Sequence, residues 1–101
     1  MSERLCFGDF ELRPAERLLL RSGQPVHLGG RAFELLLALV HHHDRLLTKD
    51  DLLRMAWRGR IVEEANVQVQ VSVLRKVIGH HAISTLAGCG YRFTAELRDG
   101  P

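Results

Sequence analysis

The stretch Asn66–Lys76, NVQVQVSVLRK, decides the fold because its pattern fits both a strand and a helix. Valines alternate with polar residues through its first half, which is the period of a half-buried β-strand. However, Val67, Val71 and Leu74 fall at i, i+4 and i+7, and Ile78 extends the same apolar stripe of a helix. A strand of this length would be unusual, and its alternation already fails at Leu74. The stretch therefore predicts a helix.

The residues that flank this stretch agree with a helix. Glu63 and Glu64 precede it and suit the positive N-terminal end of the helix dipole. Arg75 and Lys76 suit its negative C-terminal end, and Gly79 suits the left-handed position that follows a helix.

A helix leaves Asn66, Val69, Gln70, Val73 and Val77 on or beside its outer face. Amides can bond to base edges in the DNA major groove, and valine methyls can contact the thymine methyl. Alternatively, these valines pack on another part of the domain or on a second copy of the chain. Both interpretations stay open at this point.

The first 28 residues predict a small antiparallel sheet. Short apolar segments near Leu5, Phe10, Leu19 and Val26 are separated by residues that favour turns. We expect four strands, one at each segment.

Residues 29–79 predict a core of three helices. In the first helix, an apolar stripe is formed by Phe33, Leu36, Leu37 and Val40. The second helix begins at Thr48, where Thr48 and Asp51 have the spacing of a capping box, and Leu52, Leu53 and Ala56 face inward. The third helix is the stretch described above.

Residues 83–95 predict a β-hairpin around the turn Gly88–Cys89–Gly90. Together these segments predict an α+β fold in one domain over residues 1–101. The order of the elements, an N-terminal sheet, three helices and a hairpin, is that of a winged helix-turn-helix.

Net charge, apolar runs and cysteine spacing limit the partners and the cellular setting of the chain. A net charge of +2 permits an anionic partner without requiring one. No apolar run approaches the roughly 18 residues that cross a bilayer, so we expect no membrane contact in this fragment. Cys6 and Cys89 lack CxxC spacing and are expected to be free thiols in a reducing cytosol.

We expect no enzyme activity, no cofactor and no metal. The segment GGRAFE lacks the lysine and hydroxyl of a phosphate-binding loop, and no spacing suggests a catalytic nucleophile. The histidines at 41–43 and 80–81 fit solvated helix ends better than a zinc site, which needs ligands that converge on one point.

The chain resembles the OmpR/PhoB-type winged-helix DNA-binding domains of bacterial regulators over nearly its whole length. The resemblance runs from FGDFELRPAERLLLRSGQPVHL to GYRF, and LLTKDDLLRMAW, VQVQVSVLRKVIG and ISTLAGCGYRF carry it most specifically. It implies sequence-specific binding of double-stranded DNA for transcription regulation. The third helix would enter the major groove and the hairpin, or wing, the adjacent minor groove.

The resemblance also implies which residues face DNA, with Ala65 at the start of the third helix. The base-reading residues would be Asn66, Val69, Gln70 and Val73 on that helix and Arg92 on the wing. Helix N-termini, the loop after the second helix, one side of the third helix and the wing add candidates for the DNA backbone: Arg31, Thr48, Lys49, Arg58, Arg60, Ser72, Arg75, Lys76, Thr85 and Tyr91.

Further expectations concern partners and the rest of the protein. The loop Arg58–Glu64 is expected to face RNA polymerase, and DNA binding is expected to be tandem or dimeric. The domain is expected to be the N-terminal module of a longer regulator, in the cytoplasm at the nucleoid. Family members often carry cations where this chain has Ala65, Gln70 and Val73. That departure favours the alternative function, a protein–protein interaction or dimerisation module.

Overall fold

The computed structural model describes residues 3–58, 60, 62–63 and 65–99, without the side chain of residue 99. They form two compact units, one of residues up to 29 together with those from 95 onward, and one of residues 30–94. The predicted single domain over 1–101 stays a prediction, and its residues 1, 2, 100 and 101 lie outside the described part.

Within the described residues, the predicted strands and helices are all present. In chain order they are β1 (Leu5–Phe7), β2 (Phe10–Arg13), β3 (Leu18–Arg21), β4 (Gln24–Pro25), α1 (Gly30–His41), α2 (Lys49–Trp57), α3 (Ala65–Ile78), β5 (Ile83–Leu86), β6 (Gly90–Phe93) and β7 (Arg98–Asp99). A short 3-10 turn, His80–Ala82, joins α3 to β5.

The first unit is an antiparallel sheet with the strand order β4-β3-β2-β1-β7. Alternation places Phe10 and Leu12 of β2 in the interior, while Glu11 and Arg13 stay partly exposed. The Phe7 and Phe10 rings stack with centroids 5.4 Å apart. The four predicted strands are confirmed, although the fourth is Gln24–Pro25 and Val26 only extends it, with Val26 N donating to Leu19 O.

Strand β7 adds an edge to this sheet that the sequence pattern does not predict. Its two residues pair with Leu5 and Cys6 of β1 through the backbone. In addition, the Arg98 guanidinium donates to Gly8 O at 3.0 Å. Because backbone pairing needs no apolar side chain, a charged pair such as Arg98–Asp99 forms a strand without a hydrophobic signal.

Helix α1 is the centre of the second unit, where it contacts α2, α3 and β6. Its buried surface is wider than the predicted stripe, because Leu35 and Leu39 are also fully buried. Leu37, which was predicted to face the core, is only half-buried, and Leu53 of α2 is likewise half-buried. A helix with neighbours on several sides buries more than one stripe.

The stretch that fits both patterns is helical, which confirms the prediction. Val67, Val71 and Leu74 are at most 1% exposed and Ile78 is 8% exposed, whereas Val69 is 55% exposed. The apparent strand pattern thus arises because valines of the buried face, Val67 and Val71, alternate in the sequence with valines of the exposed face, Val69 and Val73. The helix ends at Gly79, whose φ of +100° is a conformation that other residues rarely adopt.

Strands β5 and β6 form the predicted hairpin, which we call the wing. Tyr91 in β6 also pairs with Leu47, just before α2, through Leu47 N to Tyr91 O at 2.8 Å and Tyr91 N to Leu47 O at 2.9 Å. This pairing requires close approach at Gly90, where a Cβ would overlap the Leu47 carbonyl group. Only glycine allows the wing to lie this near to the start of α2.

Candidate nucleic-acid interface

The outward face of α3 carries side chains that the core does not use. Its exposed residues are Ala65, Asn66, Gln68, Val69, Ser72, Val73 and Lys76, and Gln70 is half-buried beside them. In the described part of the chain, the exposed large hydrophobic residues are Val69, Val73 and Leu86. Two of these lie on α3 and the third ends β5, so the large apolar side chains exposed in this part of the chain belong to α3 and the wing.

The two amides of this face differ in their local contacts. Asn66 Nδ2 donates to Glu63 O at 3.1 Å and thereby closes the first turn of α3. This bond uses one of the two Nδ2 hydrogens, so the other hydrogen and Oδ1 could still bond to a base edge. Gln70 lies one turn further along, half-buried at the edge of the outer face and three residues before Val73.

The Arg75 side chain forms hydrogen bonds with strand β5 of the wing. Its Nη2 donates to Ile83 O at 2.7 Å and to Thr85 Oγ1 at 2.6 Å, and its Nε lies 3.3 Å from Ile83 O. The guanidinium thus joins the last turns of α3 to strand β5. Arg75 and Thr85 were both predicted to contact the DNA backbone, and the structure brings them together as partners of each other.

The N-terminus of α2 lies beside the wing turn. Lys49, Gly88 and Cys89 line one shallow cleft, and Lys49, Gln68 and Thr85 line a second. The sequence pattern does not predict a contact for Gln68, because helical periodicity places it neither on the core stripe nor beside Val69 and Val73. Gln68 lies in this cleft because the wing packs beside α3, and helical periodicity does not encode such a tertiary contact.

The first turn of α2 is held by a complete capping box. Thr48 Oγ1 accepts from Asp51 N at 3.0 Å, and Asp51 Oδ2 accepts from Thr48 N at 3.0 Å. Arg54 and Arg45 also pair with the Asp51 carboxylate. The hydrogen bond from the Thr48 backbone, together with the Thr48 hydroxyl and Arg54, lowers the pKa of Asp51 below its ordinary value.

Arg92 and Tyr91, the other predicted wing contacts, point in different directions. Arg92 is exposed, and its Nε donates at 3.3 Å to His43 O, two residues beyond the end of α1. Tyr91 is only 4% exposed, so its ring belongs to the core and leaves little surface for a phosphate. The wing turn itself, Ala87–Cys89, carries no charged side chain.

The remaining predicted backbone contacts lie near the C-terminal end of α2. Arg31 Nη1 donates to Ala56 O, and its guanidinium lies 5.5 Å from the centroid of the buried Trp57 ring. Arg58 pairs with Glu34 while remaining mostly exposed, and Arg60 is exposed. Of the predicted loop Arg58–Glu64, residues 59, 61 and 64 lie outside the described residues.

Three helices followed by a hairpin, with the third helix exposed on one face, define a winged helix-turn-helix domain, a class of DNA-binding domains. A family model described as "Transcriptional regulatory protein, C terminal" matches residues 23–93. The chain belongs to this family, the OmpR/PhoB-type DNA-binding domains of bacterial transcription regulation. The predicted family and fold class are thereby confirmed.

Individual relatives agree with this assignment. The phosphate regulon transcriptional regulatory protein PhoB of Pseudomonas aeruginosa is 32% identical over 93 residues, which cover 88% of this chain and 41% of PhoB. The chain thus spans about two fifths of the length of this curated relative. No helix in the described residues is long and apolar enough to cross a membrane.

Two solved structures are close in fold. The DNA-binding domain of Escherichia coli CadC has a TM-score of 0.84 at 23% identity, with 97% of each chain covered. The Klebsiella pneumoniae RstA DNA-binding domain, solved in complex with the RstA box, has a TM-score of 0.75 at 29% identity, with 89% of this chain and 95% of that chain covered.

Proposed function

We propose that this domain recognises a specific double-stranded DNA site, with α3 in the major groove and the wing at the adjacent minor groove. The observation that carries the proposal is the outward face of α3, where Asn66, Val69, Gln70 and Val73 extend from a helix with a buried opposite side. An α-helix fits the width of the major groove, and this face supplies both hydrogen-bonding and apolar groups. The RstA domain, similar in fold, was solved with its DNA box.

The proposed reading of bases assigns Asn66, Val69, Gln70 and Val73 to the major groove and Arg92 to the minor groove. Arg92 is exposed, and to reach into a groove its guanidinium would leave the carbonyl of His43. A narrow A·T-rich minor groove concentrates the negative potential that would favour this exchange.

The proposed backbone contacts fall into two groups. Lys49, Arg60 and Lys76 supply cations, and Thr48 and Ser72 supply hydroxyls, near α2 and α3. The second group consists of residues that already have partners within the domain, or a buried ring, and so would act mainly by shaping the surface: Arg31, Arg58, Arg75, Thr85 and Tyr91. Phosphate contacts of the first group set the register and make affinity depend on salt.

The whole protein is proposed to act in the cytoplasm, at the nucleoid, where chromosomal DNA is found. Two copies would bind in tandem or as a dimer, since a domain with few cations on its reading helix gains affinity when two sites are linked. The loop Arg58–Glu64, with Arg58 and Arg60 exposed, is proposed to face RNA polymerase.

Replacement of Gln70 by alanine tests base reading. The operator would first be selected from a random DNA pool, and binding then measured by fluorescence anisotropy on that site and on a random duplex. Loss of an amide that bonds a base edge should weaken binding to the selected site about 5- to 150-fold and leave random DNA nearly unchanged. Gln68→Ala makes the same chemical change on the side facing the wing and serves as the matched control. Equal losses on both DNAs would remove Gln70 from base reading.

A second candidate function, a protein–protein interaction or dimerisation module, is favoured by the exposure of Val69, Val73 and Leu86. Apolar surface on a soluble domain often marks a partner site. Such a module would bind a random duplex weakly, with little salt dependence, and would self-associate without DNA. Titration at two salt concentrations and sedimentation equilibrium of the free chain separate the two functions.

A further inference from the structure

We infer that α3 reads A·T base pairs, with thymine methyl groups against Val69 and Val73, so that the bases this helix contacts are rich in A·T. The inference rests on the proposed function, because it names the class of sequence which that surface recognises. It has three independent supports: the exposed valines, the amides beside them, and the engagement of Arg75 with the wing.

The valines supply the first support. Val69 is 55% exposed and Val73 is 37% exposed, and their spacing of four residues puts them on one side of the helix. Four residues rise about 6 Å along a helix, while neighbouring base pairs lie about 3.4 Å apart. The two side chains therefore match methyl groups one or two base pairs apart. Among the unmodified bases, thymine alone presents a methyl group in the major groove.

The amides supply the second support. The half-buried Gln70 lies three residues before Val73, and Asn66 lies three residues before Val69, which are neighbouring positions on a helix. An Asn or Gln amide pairs in bidentate fashion with N6 and N7 of adenine. Adenine is the partner of thymine, so one A·T pair offers a bonding edge to an amide and a methyl group to a valine.

The third support is that little on this helix suits guanine, which Arg or Lys reads through O6 and N7. Arg75 directs Nε and Nη2 to Ile83 O and Thr85 Oγ1 of the wing. Lys76 remains exposed, but in the last turn of α3 beyond both valines. The middle of the outward face thus offers apolar and amide groups in place of cations.

Removal of single methyl groups from the DNA tests the inference directly. The full chain would be used to select its site from a random DNA pool, and each thymine would then be replaced by deoxyuridine, which lacks only the C5 methyl. We expect an A·T-rich contact region in which one or two replacements weaken binding about fourfold each, as for loss of one buried methyl-sized group. Replacement outside the site provides the DNA control.

Protein variants assign this effect to the valines. Val69→Ala and Val73→Ala should each bind thymine and deoxyuridine within about twofold of each other at one position, because the side chain that contacts the methyl group is gone. Both positions are exposed and alanine favours helices, so both variants should fold. Leu86→Ala removes an equally exposed apolar side chain from the wing and should retain full sensitivity to deoxyuridine.

Four results would overturn the inference. A selected site with G·C pairs under α3, or indifference of the wild-type chain to deoxyuridine, would refute methyl reading while leaving specific DNA binding intact. Valine variants that lose self-association but still bind deoxyuridine more weakly than thymine would assign the valines to a protein interface. The absence of any preference over random duplex would refute the proposed function itself.

Discussion

Helices α2 and α3 are adjacent in the helix-turn-helix but are positioned by different interactions. Helix α2 begins at a capping box, and its Asp51 also pairs with Arg45 and Arg54. Helix α3 is positioned mainly by the buried stripe from Val67 to Ile78, with Arg75 linking it to the wing. Both helices bury apolar side chains, which in α2 are Leu52, Ala56 and Trp57, but α2 adds a polar cap at its start.

The buried side of α3 is therefore expected to contribute to stability, and its exposed side to the proposed recognition of DNA. Because packing on one side holds α3, the side chains on its other side are available to a ligand. At the start of α2, by contrast, Thr48 and Asp51 are already bonded to each other and Arg54 pairs with Asp51. Substitutions in the two helices should therefore affect different measurements, and the following variants test this.

The largest effect is expected from Leu74→Ala on the buried side of α3. Leu74 is fully buried, so its truncation leaves a cavity and should lower the free energy of unfolding by about 2–5 kcal/mol. Urea denaturation followed by circular dichroism measures the loss. Val69→Ala, on the exposed side of the same helix, is the control and should leave stability within about 0.5 kcal/mol. Similar losses for both variants would contradict the division between the two faces.

The next largest effect is expected from Gly90→Ala in the wing. A Cβ at this position would overlap the Leu47 carbonyl group and lie 2.9 Å from Thr48 Cα, so the wing would have to move. We expect a loss of about 1–3 kcal/mol in thermal or urea denaturation. Gly30→Ala has open space around its Cβ at the start of α1 and should be neutral or stabilising. If Gly90→Ala unfolds like the wild type, the close approach does not hold the wing.

The smallest effect, and the one that depends on pH, is expected from Asp51→Asn in α2. The pKa of Asp51 is lowered by folding, so its charge stabilises the fold above the unfolded pKa of about 4 and loses this contribution as the pH falls through the lower folded value. The variant should be less stable than the wild type at pH 7, by about 0.5–1 kcal/mol, and the difference should shrink as the pH falls below the unfolded value of about 4.

Asp50→Asn is the matched control for this measurement. Asp50 lies in the same first turn and shares its helix dipole, but it takes no part in the capping box. Thermal unfolding of both variants and the wild type between pH 3 and 7 gives the comparison. A difference for Asp51→Asn that does not change with pH would show that its charge contributes nothing to the fold.

Features encoded by neighbouring residues could be predicted from the sequence. The four-residue spacing of Val67 and Val71 predicts the buried face of α3, and Thr48 with Asp51 predicts the start of α2. Both depend on geometry within one or two helical turns. The edge strand β7 could not be predicted, because it forms through backbone pairing between segments more than 90 residues apart.

The candidate site was only partly predictable for the same reason. Helical periodicity separates Val69 and Gln70 from the core stripe, and in the structure Val69 is exposed whereas Gln70 is half-buried. Helical periodicity carries no information on the partners of Arg31 or Arg75, whose guanidinium groups bond to carbonyl oxygens of other elements. A sequence pattern shows which residues are charged but not which of them already have partners within the fold.

The pairing of Tyr91 with Leu47 has a mechanical consequence. These two hydrogen bonds attach the wing to the residue that immediately precedes the helix cap at Thr48. We therefore expect a displacement of the wing to shift the first turn of α2 with it, and the close approach at Gly90 to limit how far the two can separate.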